Sequence, residues 1–196
     1  MKRISSFVEM CVERDYVSED RAEWLQYALE KRILTVMGFV PLLILGFMIA
    51  HPATVIGFLI AFCLLRTRTN GFHAKSVARC LLYSIAGEVF FLKALPMLWN
   101  DIIAFVSLIL SGALIWFLAP YNHPNMHLSS EEVTACAKSA KWRLSILLLT
   151  MVILYSQKWE PIALGIILGI VMAASTLAMA YCLKKTHLKI ENTNLI

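Results

Sequence analysis

The stretch "PIALGIILGIVMAASTLAMAYCL", residues 161–183, contains no charged side chain. About 20 apolar residues in a helix cross the roughly 30 Å hydrocarbon core of a bilayer, so this stretch predicts a transmembrane helix. The whole chain of 196 residues has the same character, with 59% hydrophobic residues, 16% charged residues and a mean hydropathy of +0.70. A soluble domain of this length needs a largely polar surface, so the composition predicts an integral membrane protein.

Five further apolar blocks precede this one, at residues 33–50, 54–65, 81–99, 102–120 and 144–155. The second and fifth blocks are short, so they must borrow flanking residues, cross a thinned bilayer or re-enter. We therefore expect an all-α polytopic protein with about six transmembrane or re-entrant helices. We expect one membrane domain over residues 1–196, with an amphipathic helical arm (1–32), a membrane region (33–183) and a tail (184–196).

The distribution of cations predicts the orientation of these helices. In a six-span arrangement, 16 of the 18 Lys and Arg residues fall on the side that carries both termini. By the positive-inside rule that side is the cytoplasm, and the protein lies in the cell membrane. The net charge of +5 is then mainly a topology signal, and a second interpretation is attraction to anionic lipid or to an acidic partner.

The stretch "RTRTNGFHAKSVARC", residues 66–80, concentrates polar chemistry between two apolar blocks. A thiol attacks a carbonyl as its thiolate, which neighbouring cations and a His favour. Cys80 has Arg79 beside it in sequence, Lys75 five residues before it and His73 seven before it. These residues predict a Cys–His nucleophile pair, and Gly71 predicts a sharp turn with a positive φ.

The spacing of His73 and Cys80 requires an irregular backbone. On an unbroken helix the two residues share a face but lie about 10.5 Å apart along the axis, whereas a hydrogen bond needs about 3 Å. We therefore expect a break at "TNG", residues 69–71, or else contact from a second subunit. The alternative interpretation is that this basic segment with one His and one Cys only determines topology.

Glu88 is an ionisable residue within a membrane block, and such residues are usually functional or paired. Lys93 lies five positions further on, so an internal Glu88–Lys93 ion pair is one interpretation. The other is that Glu88 orients His73 or contacts the substrate.

The remaining cysteines and histidines do not predict a metal centre. Cys11, Cys63, Cys136 and Cys182 are scattered without paired spacing, so we expect them to pack as thiols. His123 and His127 have the i, i+4 spacing of helical metal ligands, but Pro124 and Asn125 between them favour a loop. We expect no metal and no cofactor.

Two local patterns concern helix ends and helix pairing. Ser129 and Glu132 have the spacing of a capping box, which predicts a helix start there. Gly165 and Gly169 form a small-xxx-small motif, which can join helices within one chain or between two copies.

The pattern Arg-x4-Gly-x-His-x6-Cys at Arg66, Gly71, His73 and Cys80 resembles the signature of the accessory gene regulator B (AgrB) family. A second stretch, "LAPYNHPNMHLSSEE" at residues 118–132, is similar to the Ala-Pro and Pro-Asn loop of that family. This chain has Met-His at positions 126–127, where the family often has Lys-Pro. The resemblance extends over nearly the whole chain.

This resemblance implies a membrane-embedded cysteine endopeptidase of peptide quorum sensing. Such enzymes cut a short precursor peptide on its C-terminal side and promote closure of the remainder into a thiolactone or lactone through a Cys acyl-enzyme. His73 and Cys80 would be the catalytic pair, with Arg66 and Gly71 required around them. The implied partners are the precursor peptide, the lipid bilayer and a second copy of the chain, but no nucleic acid.

The alternative function is a non-enzymatic carrier, or an exporter of a peptide without cleavage. A carrier needs polar groups near the midplane of several spans. Glu88 and Lys93 are the clearly buried charges in the apolar blocks of this sequence, so the pattern favours the enzyme.

Overall fold

The computed structural model describes residues 2–71, 77–98, 100–122 and 128–193, and the regular elements in these ranges are all helices. Short 3-10 helices occupy Glu19–Arg21 and Leu95–Leu98, and a π-helical turn occupies Phe90–Ala94. The α-helices are α1 (Lys2–Glu13), α2 (Ala22–Ile49), α3 (Pro52–Thr69), α4 (Val77–Val89), α5 (Asp101–Leu118), α6 (Ser130–Ser156) and α7 (Glu160–Thr193). The all-α polytopic prediction is confirmed.

The chain forms two compact units, Met1–Ile44 and Leu45–Ile196. The first unit contains α1, where apolar residues recur at the spacing of one helix face: Ile4, Phe7, Val8 and Cys11. This pattern is that of an amphipathic interfacial helix, as predicted for the N-terminal arm. The expectation of one membrane domain over residues 1–196 stays a prediction.

Within the described residues, four helical segments are long and apolar enough to cross a membrane: Pro52–Thr69, Arg79–Met97, Asp101–Leu118 and Glu160–Leu183. The apolar block at residues 54–65 reaches this length because its helix continues to Thr69. The apolar part of α2 is the shorter segment Val36–Ile49. α6 has 27 residues, but its first half is polar, and it is not among the four. The expected total of six spans stays a prediction.

Helices α3 and α7 form the centre of the second unit. In the most apolar part of α3, 50% of the residues are buried, and in that of α7 56% are buried. The corresponding share is 11% in each of the segments Arg79–Met97 and Asp101–Leu118. The central pair therefore supplies most of the core, and α4 and α5 expose most of their apolar surface. Fully buried core side chains include Val55, Phe58, Leu59, Leu65, Leu168, Ile170 and Leu177.

The glycine motif of α7 explains how the central pair approaches so closely. A Cβ on Gly165 would overlap the carbonyl oxygen of Thr54, and a Cβ on Gly169 would lie 2.5 Å from the carbonyl oxygen of Phe58. Both obstructing atoms belong to the backbone of α3. Of the two pairings left open by the sequence, the structure therefore shows the one within the chain.

The predicted start of α6 is also present. The Ser129 hydroxyl accepts a hydrogen bond from the Glu132 N–H at 3.2 Å, and the Ser129 N–H donates to the Glu132 carboxylate at 2.9 Å. This reciprocal pair satisfies two donors that a helix N-terminus would otherwise leave free, so the capping-box prediction is confirmed.

We expect Gly165→Ala and Gly169→Ala to lower the free energy of unfolding by about 1–3 kcal/mol each, because a backbone carbonyl cannot rotate away from an added methyl group. Gly112→Ala in α5 is the matched control. Nothing lies within 4 Å of its Cβ position, and alanine favours a helix more than glycine does. The measurement is the thermal unfolding midpoint in detergent. An equal rise for the three variants would show that α3 and α7 do not pack through these glycines.

Candidate functional site

The candidate site begins where α3 ends. Arg66 lies in the last turn of α3, which stops at Thr69, so the predicted break at residues 69–71 is confirmed. Asn70 ends the helix in the left-handed conformation, with a φ of 50° and a ψ of 37°. Asparagine tolerates this region better than most residues, because its short polar side chain can compensate locally.

The expectation of a positive φ at Gly71 is wrong, because the left-handed residue is Asn70. Gly71 is required for a different reason. A Cβ there would lie 2.8 Å from the carbonyl carbon of Thr176 in α7, 2.9 Å from its oxygen and 3.0 Å from Nη1 of Arg66. Gly71 therefore allows the chain leaving α3 to lie directly on the backbone of α7, with the buried Arg66 Nη1 beside it.

Cys80 is the fourth residue of the described part of α4 and is half-buried. Its thiol and the Arg66 guanidinium are close enough to interact electrostatically. The described structure therefore places a cation near the sulfur of the predicted nucleophile.

His73 and Lys75 lie outside the described residues, and the described part of α4 begins at Val77. The predicted His73–Cys80 pairing therefore stays a prediction. His123 and His127, the residues with metal-ligand spacing, also lie outside the described residues.

The second motif stretch packs at the same end of the bundle as Cys80. After a cis peptide bond at Ala119–Pro120, the Tyr121 N–H donates to the Thr69 carbonyl at 2.9 Å. The Tyr181 hydroxyl of α7 donates to the Leu118 carbonyl at 2.8 Å, and the two tyrosine rings meet edge to face at 5.0 Å. The two stretches that carry the family resemblance thus come together in space. Sequence reasoning missed Tyr121 and Tyr181, since no local pattern marks their pairing.

Arg143 of α6 is a further residue that sequence reasoning missed. Its Nη1 donates to the Leu64 carbonyl at 2.8 Å and to the Thr67 hydroxyl at 2.8 Å. A cation is favourable near a helix C-terminus, because the aligned peptide dipoles give that end a partial negative charge. Arg143 therefore fixes the N-terminal half of α6 against the end of α3.

Glu88 lies deeper along α4, just before the π-helical turn, and is 1% exposed. Both of its carboxylate oxygens are buried without a hydrogen-bond partner among the described residues. Lys93 is exposed, and it forms no ion pair with Glu88. The Glu88–Lys93 interpretation is therefore wrong, and the other interpretation, in which Glu88 orients His73 or contacts the substrate, stays a prediction.

We expect Gly71→Ala to lower the free energy of unfolding by about 1–3 kcal/mol, because the added methyl group meets the backbone of Thr176. Gly87→Ala is the matched control, since its Cβ would meet only the flexible end of Met172, at 2.8 Å. Methionine adapts readily, so this variant should unfold close to the wild type. The measurement is the thermal midpoint in detergent, and equal midpoints for both variants would contradict the close contact.

We expect Glu88→Leu to raise the free energy of unfolding by about 1–3 kcal/mol, because it removes a buried polar group that has no described partner. Lys93→Leu, at an exposed position on the same segment, should change it by less than about 0.5 kcal/mol. Chemical denaturation in detergent measures both. A lower stability for Glu88→Leu would mean that the carboxyl is a structural group with a partner.

The sequence of this chain matches one known protein family. The family model of Accessory gene regulator B matches residues 4–177, a range that includes both motif stretches. No curated protein and no solved structure shows significant similarity to the chain. The chain therefore belongs to the accessory gene regulator B family, which supports its involvement in the agr quorum-sensing system.

Proposed function

We propose that this protein is a membrane-embedded cysteine endopeptidase. It cleaves a short quorum-sensing precursor peptide on its C-terminal side and promotes closure of the remainder into a thiolactone or lactone ring. The observation that carries the proposal is the position of Cys80, near the start of the described part of α4 and within electrostatic reach of Arg66. Membership of a quorum-sensing family supports the substrate class.

In the first step, His73 takes the proton of the Cys80 thiol, and the sulfur attacks the carbonyl carbon of the scissile bond. Negative charge develops on the carbonyl oxygen. Backbone N–H groups near Gly71 are the candidate donors to this oxygen. When the intermediate collapses, the C–N bond breaks, His73 protonates the leaving amine, and the acyl group remains on Cys80 as a thioester.

In the second step, a Cys thiol or Ser hydroxyl within the precursor attacks the thioester carbonyl and gives its proton to His73, which the first step left neutral. The ring closes as the C–S bond to Cys80 breaks, and the departing Cys80 thiolate takes that proton from His73. Water would hydrolyse the same intermediate, so a site with restricted access to water favours cyclisation. Neither step requires a metal or a cofactor.

In this proposal Arg66 and Gly71 support the site, but neither forms a bond with the substrate. Gly71 lets the chain lie on α7, and Arg66 provides positive charge near the sulfur throughout the reaction. Glu88 lies eight residues beyond Cys80, about 12 Å further along the helix axis. In this proposal Glu88 contacts the substrate or orients His73.

The proposal includes the orientation and the partners. The cationic end of the bundle, where Arg66, Arg68 and Arg143 lie, faces the cytoplasm of a multi-pass cell-membrane protein. The precursor peptide reaches Cys80 from that side, and the protein works as a homodimer. A carrier or an exporter would not require a nucleophile, so variants of Cys80 separate these functions from the peptidase.

We expect Cys80→Ser, Cys80→Ala and His73→Ala to lower the rate of precursor cleavage by on the order of 10³-fold or more, because each removes the nucleophile or its base. Cys136→Ala is the matched control, since Cys136 is also half-buried and lies near a cation, Arg143, but is not part of the motif stretch at residues 66–80. Cleavage is measured by mass spectrometry after reconstitution into vesicles with the precursor.

A trapping experiment tests the acyl-enzyme directly. Wild-type protein, incubated with a precursor that lacks its internal Cys or Ser, should gain the mass of the N-terminal fragment on Cys80. Normal cleavage by Cys80→Ala would overturn the proposal. Export of an intact peptide by that variant would favour the exporter.

A further inference from the structure

One face of α6 points away from α3 and carries two lysines. Lys138, Lys141, Trp142 and Ser145 recur at i, i+3, i+4 and i+7, so they share one side of the helix. Together with Trp116 of α5 they line a groove of about 660 Å³. The Lys141 ammonium lies 5.3 Å from the centroid of the Trp116 ring, a cation–π contact that joins the two helices.

A second groove adjoins the first, because Trp116 lines both. It has a volume of about 380 Å³ and lies between the two helices, with Leu108, Gly112 and Ala113 on α5 and Leu144 and Leu148 on α6. Apolar side chains dominate it, and α5 is a candidate membrane span with a hydropathy of 2.2. The two grooves form one surface, which we call the α5–α6 groove: it is cationic near the end of the bundle and apolar along the span.

The cations of α6 lie in two different environments. Arg143 turns toward α3 and is held there by the Leu64 carbonyl and the Thr67 hydroxyl. Lys138 and Lys141 line the groove, and neither forms an ion pair with a described residue. Among the described residues, no acidic side chain lines either part of the groove. Two ammonium groups are therefore available to an anion that approaches from the lipid side.

We propose that the α5–α6 groove binds an anionic phospholipid, with its phosphate headgroup at Lys138 and Lys141 and an acyl chain beside Gly112 and Leu148. Basic pockets between membrane helices favour anionic headgroups, and Trp and Lys are typical residues of the headgroup layer. An acidic peptide would match only the cationic end, whereas a phospholipid has both required parts.

The test uses the full chain reconstituted into phosphatidylcholine vesicles that contain phosphatidylglycerol. After extraction in mild detergent, mass spectrometry measures how far phosphatidylglycerol is enriched among the retained lipids. We expect Lys138→Gln and Lys141→Gln each to lower this enrichment by about fivefold and the double variant by about 25-fold. Replacement of both lysines by arginine should restore it. Lys158→Gln, an exposed lysine after the far end of α6, is the matched control and should retain the wild-type enrichment.

A second variant tests the acyl-chain part. Gly112 lines the apolar groove and nothing lies within 4 Å of its Cβ position, so Gly112→Phe adds a side chain on the groove side of α5. We expect it to reduce the enrichment while the unfolding midpoint in phosphatidylcholine alone stays unchanged. The double lysine variant tests the headgroup part independently.

Competition identifies the source of the anion. Soluble glycerol phosphate and a polyglutamate peptide should fail to displace phosphatidylglycerol, because neither carries an acyl chain. Effective displacement by either compound would overturn the proposal, and so would equal retention of both lipids by the wild type. The proposal would also fail if dimerisation of the chain through this face accounted for any loss of enrichment. The readout needs no precursor cleavage, so its failure is distinguishable from failure of the proposed peptidase.

Discussion

The close approach of α3 to α7 determines how the rest of the second unit packs. Lipid tails are as apolar as leucine side chains, so membrane helices associate through close packing and not through exclusion from water. Gly165 and Gly169 remove side chains from α7 where the α3 backbone passes, and Gly57 does the same on α3, where a Cβ would lie 2.5 Å from the carbonyl oxygen of Ile162. The two backbones therefore come into direct contact, and the outer helices pack around a central pair.

This contact extends beyond the membrane pair into the candidate site. Because α7 lies against α3, its later turns pass the point where α3 ends. Thr176 then meets Gly71, and Tyr181 meets both Leu118 and Tyr121. The end of α3, with Gly71 directly after it, and the end of α5 thus share one segment of α7 as their support.

Cations at this end of the bundle serve three structurally distinct purposes, although the positive-inside rule counts them all alike. Arg66 lies inside the bundle and raises the potential at Cys80, while Arg143 neutralises the carbonyl end of α3. Lys138 and Lys141 face the surface between α5 and α6. Glu88 differs from these cations, because its buried carboxylate has no hydrogen-bond partner among the described residues.

Local features could be predicted from the sequence because local rules produce them. Apolar length gave the helical class, capping chemistry gave the start of α6, and the Asn-Gly pair gave the end of α3. The family pattern singled out Cys80, Arg66 and Gly71, but the reason for Gly71 was wrong, because the constraint is the Thr176 backbone and not its own φ. Only the tertiary structure decided the contacts between distant segments: Gly165 with Thr54, Arg143 with Leu64, and Tyr121 with Thr69. It also decided that Glu88 forms no ion pair with Lys93. Such contacts depend on the relative positions of whole helices, which the periodicity of a single segment does not encode.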